Sequence, residues 1–186
     1  MAANNSVKTQ LATLGGGCFW CLEAFYQRAK GVESVVSGYS GGHVANPSTE
    51  QVYAGGTGHA EVVQLTFDPS VITYRELLEI FFVMHDPTTL NRQGNDVGEH
   101  YRSVIFYHDD EQKQVAEDMI ANFAGDLWPD PIVTQLVAFE KFWPAGPEHQ
   151  DYYNRNPGAA YCQVIINPKI QKLRQKFAAK LKAFDE

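Results

Sequence analysis

The chain has 186 residues, 44% of them hydrophobic and 20% charged, which is enough for one domain with a complete hydrophobic core. Its formal net charge of −7 argues against a protein that binds nucleic acid or an anionic membrane surface. No export signal opens the sequence, and the apolar run at residues 80–84 is too short to span a bilayer. We therefore expect a soluble, cytoplasmic protein.

Hydrophobic periodicity divides the chain into strands and helices. Gly15, Gly16 and Gly17 separate the first strand from a helix, and a T-x-x-E capping box at Thr73 opens a second helix. Strands are predicted at residues 6–14, 32–39, 60–67, 103–107 and 132–138, and helices after Gly17, after Thr73, after Asp109 and at residues 170–184. Because strands and helices do not alternate strictly, this order predicts an α+β fold, a two-layer α/β sandwich with a central mixed sheet.

Long polar segments interrupt this pattern. Residues 43–58 and 85–100 are too long for idle connections, so we expect them to be active-site loops that converge on one cleft. No linker or repeat divides the sequence. The sequence therefore predicts a single catalytic domain over residues 1–186, with residues 142–186 forming a C-terminal loop and helix appendage.

Cys18 follows three glycines at the predicted start of the first helix. The positive end of the helix dipole and free backbone N–H groups are expected to favour its thiolate and make it a nucleophile. Phe19 and Trp20 follow directly and could form an aromatic wall beside an apolar or thioether-like substrate group.

Two further cysteines extend the possible thiol chemistry. Cys21 completes a C-x-x-C with Cys18, a spacing shared by dithiol redox sites and zinc sites. No second ligand pair accompanies it, so no metal is expected. Cys162 lies in a flexible-looking segment, GAAYCQ, and a cysteine on a mobile arm can resolve a sulfenic acid.

Polar residues in and beside the loops could complete the site. Glu61 stands at the head of the third predicted strand, and Asp96 and Tyr101 lie in or just after the second loop. Together with Cys18, they would supply a proton donor and hydrogen-bond partners for a polar oxygen.

The segments GGGCFWCLEA, GYSGGH, TGHAEVVQLTFDP, HDPTTLNRQGND, HQDYY and GAAYCQ, in this order, resemble the A-type peptide methionine sulfoxide reductases. The resemblance implies reduction of the S-epimer of methionine sulfoxide, free or in proteins, through a cysteine sulfenic acid and an intramolecular disulfide. It also implies a two-layer α/β fold, no cofactor, and electrons from thioredoxin, or from dithiothreitol in vitro. We expect a monomer.

The resemblance also implies a role for each matching residue. By position, Cys18 is the nucleophile, and Phe19 and Trp20 form the pocket for the methyl group. Glu61 is the acid that protonates the sulfoxide oxygen, and Asp96 and Tyr101 orient the substrate. Cys162 is the resolving cysteine, with Cys21 a secondary candidate for that role.

One position departs from the family pattern. The loop reads NPSTE, with Thr49 where the family usually has a tyrosine that contacts the sulfoxide oxygen. Threonine is too short to reach the same point. Tyr53, four residues later, is predicted to replace the missing phenol, and the alternative is that Tyr101 acts without it.

Three other functions stay open at the level of sequence. A thioredoxin-like dithiol oxidoreductase would use Cys18 and Cys21 without Glu61. A cysteine hydrolase would pair Cys18 with His59 or His149. A binding module would tolerate alkylation of Cys18 without loss of function.

Overall fold

The computed structural model describes residues 8–183, and a six-stranded mixed sheet forms its centre. The strands are β1 (Gln10–Gly15), β2 (Val32–Ser40), β3 (Ala60–Phe67), β4 (Arg92–Gln93), β5 (Asp96–Val97), β6 (Val104–Tyr107), β7 (Gln135–Ala138) and β8 (Phe142–Pro144). The sheet order is β7-β6-β1-β3-β2-β8, and β4 and β5 form a separate small hairpin. β6 and β7 pair in parallel, whereas the other neighbouring strands of the sheet are antiparallel.

Helical segments fill the connections between the strands. The α-helices are α1 (Phe19–Gln27), α2 (Thr49–Ala54), α3 (Tyr74–Met84), α4 (Asp110–Asp118), α5 (Gly125–Leu127), α6 (Tyr152–Arg155) and α7 (Asn167–Phe177). Two π-helical segments, Met119–Ala124 and Cys162–Ile166, lead into α5 and α7. Single 3₁₀ turns span Glu99–Tyr101, Pro147–His149 and Ala178–Lys180.

The core lies mainly on one face of the sheet. Successive residues of a strand point to opposite faces, so Val63 and Leu65 of β3 join the large cluster formed with the helices, while Val62 joins a small cluster on the other face. α1, α3 and α7 contribute fully buried side chains to the large cluster. This arrangement confirms the predicted two-layer α/β sandwich with a central mixed sheet.

Several predicted elements have the expected bounds and caps. β3 covers the predicted residues 60–67, and Thr73 and Glu76 form the predicted capping box of α3. Residues 6 and 7 of the first predicted strand lie outside the described residues, as does residue 184 of the last predicted helix. β7 begins at Gln135 rather than at residue 132, because Val133 N donates to Pro87 O and is held off the sheet.

The predicted loops contain regular structure that the sequence analysis did not find. The segment 43–58 holds α2, which a capping box between Ser48 and Gln51 begins. The segment 85–100 holds the β4–β5 hairpin, and residues 142–161 contain β8 and α6. These elements have two to six residues, too few to produce a periodic pattern. Within residues 8–183, no helix is long and apolar enough to cross a membrane.

Candidate active site

The start of α1 places Cys18 at the end of a central strand. β1 leads into the turn at residues 15–17, where Gly17 has φ +93°, a conformation that favours glycine. Cys18 is the N-cap of α1, with an extended backbone and only 9% of its surface exposed. The predicted position of Cys18 at the helix start is therefore confirmed, and its thiol lies in a nearly closed site.

Glu61 on β3 lies against the same helix start. Its side chain is fully buried, and Oε1 accepts a hydrogen bond of 3.2 Å from the backbone N of Phe19. Oε2 is buried with no partner among the described residues. Burial raises the pKa of Glu61 to about 8, although the bond from Phe19 N acts in the opposite direction. At neutral pH the carboxyl group therefore keeps its proton and has one oxygen free.

The pKa values of the two thiols in the C-x-x-C shift in opposite directions. Burial raises the pKa of Cys18 well above its ordinary value, and its hydrogen bond to Cys21 adds to this effect. The same hydrogen bond lowers the pKa of Cys21 to about 7. The sequence analysis predicted that the helix start favours the thiolate of Cys18; burial acts in the opposite direction, because it raises the pKa of this thiol.

Aromatic rings wall the site on the side of Phe19 and Trp20. Trp20 stacks on Tyr152 with ring centroids 3.6 Å apart and meets the edge of Tyr161 at 5.6 Å. The ring of His149 lies 5.3 Å from Phe19 and 5.8 Å from Trp20. The C-terminal segment thus completes a wall that suits a thioether methyl group. The sequence analysis did not assign Tyr152 or Tyr161 to the site; the aromatic run HQDYY and the neighbour of Cys162 were the available signals.

Thr49 does not face the cleft as a free donor. Its Oγ1 lies 3.0 Å from the hydroxyl of Tyr39 and 3.1 Å from Nε2 of His149. Tyr39 stands opposite Glu61 in the register of β2 and β3, so this hydrogen-bond chain borders the acid. Tyr39 was also not assigned from the sequence, although it ends the strand beside Glu61.

Tyr53 and Tyr101 both lie against His100 at the edge of the cleft. Tyr53 lies one helical turn after Thr49 on α2, and its ring centroid is 5.2 Å from that of His100, which is 3.9 Å from that of Tyr101. Burial raises the pKa of both tyrosines, and the charges of Glu61 and Cys18 raise it further. Both phenols therefore lie within electrostatic reach of the nucleophile and the acid.

Asp96 on β5 reaches the site through Tyr161. The hydroxyl of Tyr161 donates a 2.9 Å hydrogen bond to Oδ2 of Asp96 and lies 3.8 Å from Sγ of Cys21. Lys169 on α7, which the sequence analysis did not identify, places its Nζ 4.0 Å from the same sulfur. Cys21 is therefore surrounded by polar groups from two loops and α7.

Cys162 is fully buried and begins the π-helical segment before α7. Burial raises the pKa of its thiol, and the charge of Cys21 adds to that effect. The structure corrects the predicted mobile arm: a hydrogen bond of 3.0 Å from Gln163 N to Ala159 O already closes a helical turn around this cysteine. All three cysteines are free thiols.

Other groups near the cleft have structural partners. Nδ1 of His59 accepts a hydrogen bond from Gly42 N, and Nε2 donates to Val44 O at 2.7 Å. His59 therefore has no free nitrogen to act as a base for Cys18. Within residues 8–183, no group of three or more histidine, cysteine, aspartate or glutamate side chains is arranged to hold a metal ion.

Comparisons with known proteins match this chain to one family. A sequence model of the family "Peptide methionine sulfoxide reductase" matches residues 10–181. The peptide methionine sulfoxide reductase MsrA of Sulfolobus acidocaldarius is 58% identical over 171 residues, 92% of this chain and 97% of that protein. Mxr1 from Saccharomyces cerevisiae in reduced form matches with a TM-score of 0.73 and 34% identity over 86% of this chain and 92% of Mxr1. Mxr1 in complex with Trx2 matches with a TM-score of 0.51 and 28% identity, over 82% of this chain and 90% of that chain.

Proposed function

The chain belongs to the peptide methionine sulfoxide reductase family, and we propose that it reduces the S-epimer of methionine sulfoxide, free and in proteins, with Cys18 as nucleophile and Glu61 as acid. The observation that carries this proposal is the buried Glu61 carboxyl, which holds its proton and keeps Oε2 free beside the start of α1. A sulfoxide oxygen leaves only when it is protonated, so the reaction needs such an acid.

In the first step, the substrate methyl group rests against Phe19 and Trp20, and the oxygen lies toward Glu61. The sulfur of Cys18 attacks the sulfoxide sulfur while Glu61 donates its proton to the oxygen. The sulfur–oxygen bond of the substrate breaks, the resulting hydroxyl passes to Cys18, and the proton that the Cys18 thiol loses restores Glu61. Cys18 thereby becomes a sulfenic acid, and the sulfoxide becomes the thioether methionine, so the two electrons come from the cysteine.

Tyr53 and Tyr101 support this step as hydrogen-bond donors. Their phenols lie within electrostatic reach of Glu61 and Cys18, where the oxygen gains charge in the transition state. Thr49 is occupied by Tyr39 and His149, which supports Tyr53 as the replacement for the family's tyrosine. Asp96, held by Tyr161, orients the same side of the cleft.

In the second step, a thiol of the same chain attacks the sulfenic acid, releases water and leaves an intramolecular disulfide. Cys162 and Cys21 are the two thiols available for this disulfide. Thioredoxin then reduces it, as the complex of the related Mxr1 with Trx2 suggests, and dithiothreitol can replace thioredoxin in vitro. The electrons come from thiols throughout, so this mechanism uses no cofactor. We place the enzyme in the cytoplasm, as a monomeric single domain.

An assay with separated sulfoxide epimers tests this function. With dithiothreitol as reductant, we expect methionine from the S-epimer and little from the R-epimer, because a pocket that fixes methyl, sulfur and oxygen separately is chiral. Cys18→Ser should abolish turnover and leave the circular dichroism spectrum unchanged. Equal rates on both epimers would refute the pocket, and insulin reduction without sulfoxide turnover would favour the dithiol oxidoreductase.

A further inference from the structure

The surroundings of Cys21 differ from those of the other two cysteines. Cys21 is 3% exposed on the first turn of α1, with the hydroxyl of Tyr161 at 3.8 Å and Nζ of Lys169 at 4.0 Å from its sulfur. Tyr161 already donates to Asp96, so the group that favours a negative charge on Cys21 from the C-terminal segment is the Lys169 ammonium. The structure thus provides a thiolate site at Cys21 rather than at Cys162.

Cys21 also lies within reach of the sulfur that becomes oxidised. The backbone N of Cys21 donates to Cys18 O at 3.1 Å, which makes the two residues neighbours across one helical turn. Cys18 has an extended backbone as the N-cap, so its side chain can turn toward Cys21 without breaking the helix. The C-x-x-C spacing at a helix start is one in which disulfides form readily.

Cys162, in contrast, is poorly placed for the first attack. It is fully buried at the start of a closed helical turn, and burial raises the pKa of its thiol. A protonated thiol attacks a sulfenic acid more slowly than a thiolate does. Among the cysteines, Cys21 is the one whose charge raises the pKa of the Cys162 thiol.

Resting on the proposed function, we infer that Cys21, held beside Lys169, is the thiol that attacks the Cys18 sulfenic acid, and that Cys162 acts only in a later thiol–disulfide exchange. In the first step the Cys21 sulfur bonds to the Cys18 sulfur, the sulfur–oxygen bond breaks, and the oxygen leaves as water after taking up a proton. In the exchange, Cys162 attacks the Cys21 sulfur, and Cys18 leaves as a thiolate that takes up the proton of Cys162. This leaves a Cys21–Cys162 disulfide for thioredoxin and restores Cys18.

Lys169 is a positioning residue in this scheme, because it acts on the Cys18 sulfenic acid only through Cys21. The titratable and charged groups that face Cys21 are Cys18 on α1, Glu61 on β3, Asp96 on β5, Tyr161 and Cys162 ahead of α7, and Lys169 on α7. The hydrogen bond from Cys18 lowers the pKa of Cys21, and the Lys169 charge lowers it further, whereas burial and the charge of Asp96 raise it. Because Cys18 is oxidised when Cys21 attacks, the Lys169 ammonium 4.0 Å away is the group we expect to favour the Cys21 thiolate in that step.

Time-resolved disulfide mapping of the natural chain tests the order. The reduced enzyme is mixed with one equivalent of methionine S-sulfoxide without reductant, quenched with acid and alkylated, and its peptides are mapped by mass spectrometry. We expect Cys18–Cys21 to appear first and Cys21–Cys162 later. If Cys18–Cys162 appears first, the inference is wrong. If no methionine forms, the proposed function itself fails.

Two cysteine variants sharpen the result. Cys162→Ser should form one equivalent of methionine and stop at the Cys18–Cys21 disulfide. Cys21→Ser should keep the methionine burst but form its disulfide at least about tenfold more slowly, with a sulfenic acid that dimedone traps. A Cys21→Ser enzyme that forms Cys18–Cys162 at the parental rate would overturn the inference.

A lysine series separates the charge from the packing. Lys169→Met should slow disulfide formation at pH 7 by about tenfold, because fewer Cys21 thiols are ionised. The rate of disulfide formation should recover as the pH rises. The methionine burst should stay unchanged, because it precedes the attack by Cys21. Lys169→Arg should retain the parental rate. Lys172→Met, on the same helix with Nζ on Val83 O, is the control. Identical pH profiles for Lys169→Met and the parent would exclude the role of Lys169.

Discussion

At the scale of single residues, the site depends on the burial of Glu61, which raises the pKa of its carboxyl group. Glu61 has one backbone N–H as a partner, and a single hydrogen bond does not offset the loss of water around a fully buried carboxylate. Its pKa therefore rises to about 8, and the group is an acid at the pH where a carboxylate is usual. The protonated carboxyl, whose Oε2 has no partner, can then donate a hydrogen bond to the oxygen of a substrate.

We expect Glu61→Gln to reduce the rate of methionine formation at neutral pH by about 10²–10⁴-fold, because the amide cannot donate a proton in the transition state. In the parent, the rate should fall as the pH rises through about 8, where Glu61 loses its proton. The glutamine variant should lack that decline. Single-turnover rates between pH 6 and 9 provide the measurement, and a variant within a few-fold of the parent would remove Glu61 from the mechanism.

The same carboxyl group should cost stability at higher pH. Its pKa is raised from 4.5 to about 8 on folding, so between these values the native state binds more protons than the unfolded state, and the free energy of unfolding falls as the pH rises. Glu61→Gln removes this dependence. Urea unfolding at pH 5 and pH 8 should show the variant gaining stability relative to the parent at the higher pH. An unchanged difference would mean that the carboxyl is not buried as described.

The tyrosine pair offers a second test at this scale. Tyr53→Phe and Tyr101→Phe should each slow single-turnover methionine formation by roughly 10²-fold, since each removes a donor to the oxygen that gains charge. Tyr107→Phe on β6, where the ring contacts Lys113, is the control and should match the parent. If Tyr53→Phe also matches the parent while Tyr101→Phe is slow, Tyr53 is a packing residue.

At the scale of elements, a short helix gives Tyr53 its position. α2 has six residues and depends on its capping box, in which Ser48 accepts from Gln51 N and the Gln51 side chain accepts from Ser48 N. Such a short helix has little stability of its own, so the cap and the buried Val52 hold it in place. The turn from Thr49 to Tyr53 brings the ring of Tyr53 to His100, beside Tyr101.

Ser48→Ala should therefore disturb activity more than stability. Loss of an N-cap costs about 1 kcal/mol, which is enough to fray a six-residue helix and to slow single-turnover methionine formation through Tyr53. Thr73→Ala removes the equivalent cap of α3, and should lower the free energy of unfolding by a similar amount without changing the single-turnover rate. Single-turnover kinetics and urea unfolding separate the two effects. Equal single-turnover rates for both variants would show that α2 does not position Tyr53.

At the scale of the whole molecule, the C-terminal segment closes the site against the sheet edge. Gln150 does this with its side chain, which accepts from Ser37 N and donates to Ser37 O and Ala145 O. Tyr152 N then donates to the buried Glu23 of α1. These bonds bring His149 and Tyr152 onto the rings of Phe19 and Trp20.

Gln150→Ala should loosen this closure. It removes three hydrogen bonds and takes from the buried Ser37 N its Gln150 acceptor, while Ser37 O keeps the bond from Ala145 N, so we expect the free energy of unfolding to fall by about 1–3 kcal/mol. Hydrogen exchange at residues 145–152 should accelerate. Gln163→Ala, at an exposed position, should have almost no effect. Unchanged exchange at residues 145–152 in Gln150→Ala would contradict the role of Gln150.

The sequence by itself determined the elements and residues whose signals are local. Alternating apolar residues predicted β3, the T-x-x-E box predicted α3, and glycines placed Cys18 at a helix start. Only the tertiary structure decided that Lys169 reaches Cys21, that Thr49 bonds Tyr39 and His149, and that Cys162 is buried in a helix. It also decided that burial and the Cys18–Cys21 hydrogen bond act on the pKa values of these two thiols. These properties arise from burial and from contacts between residues distant in the chain, which no local spacing encodes.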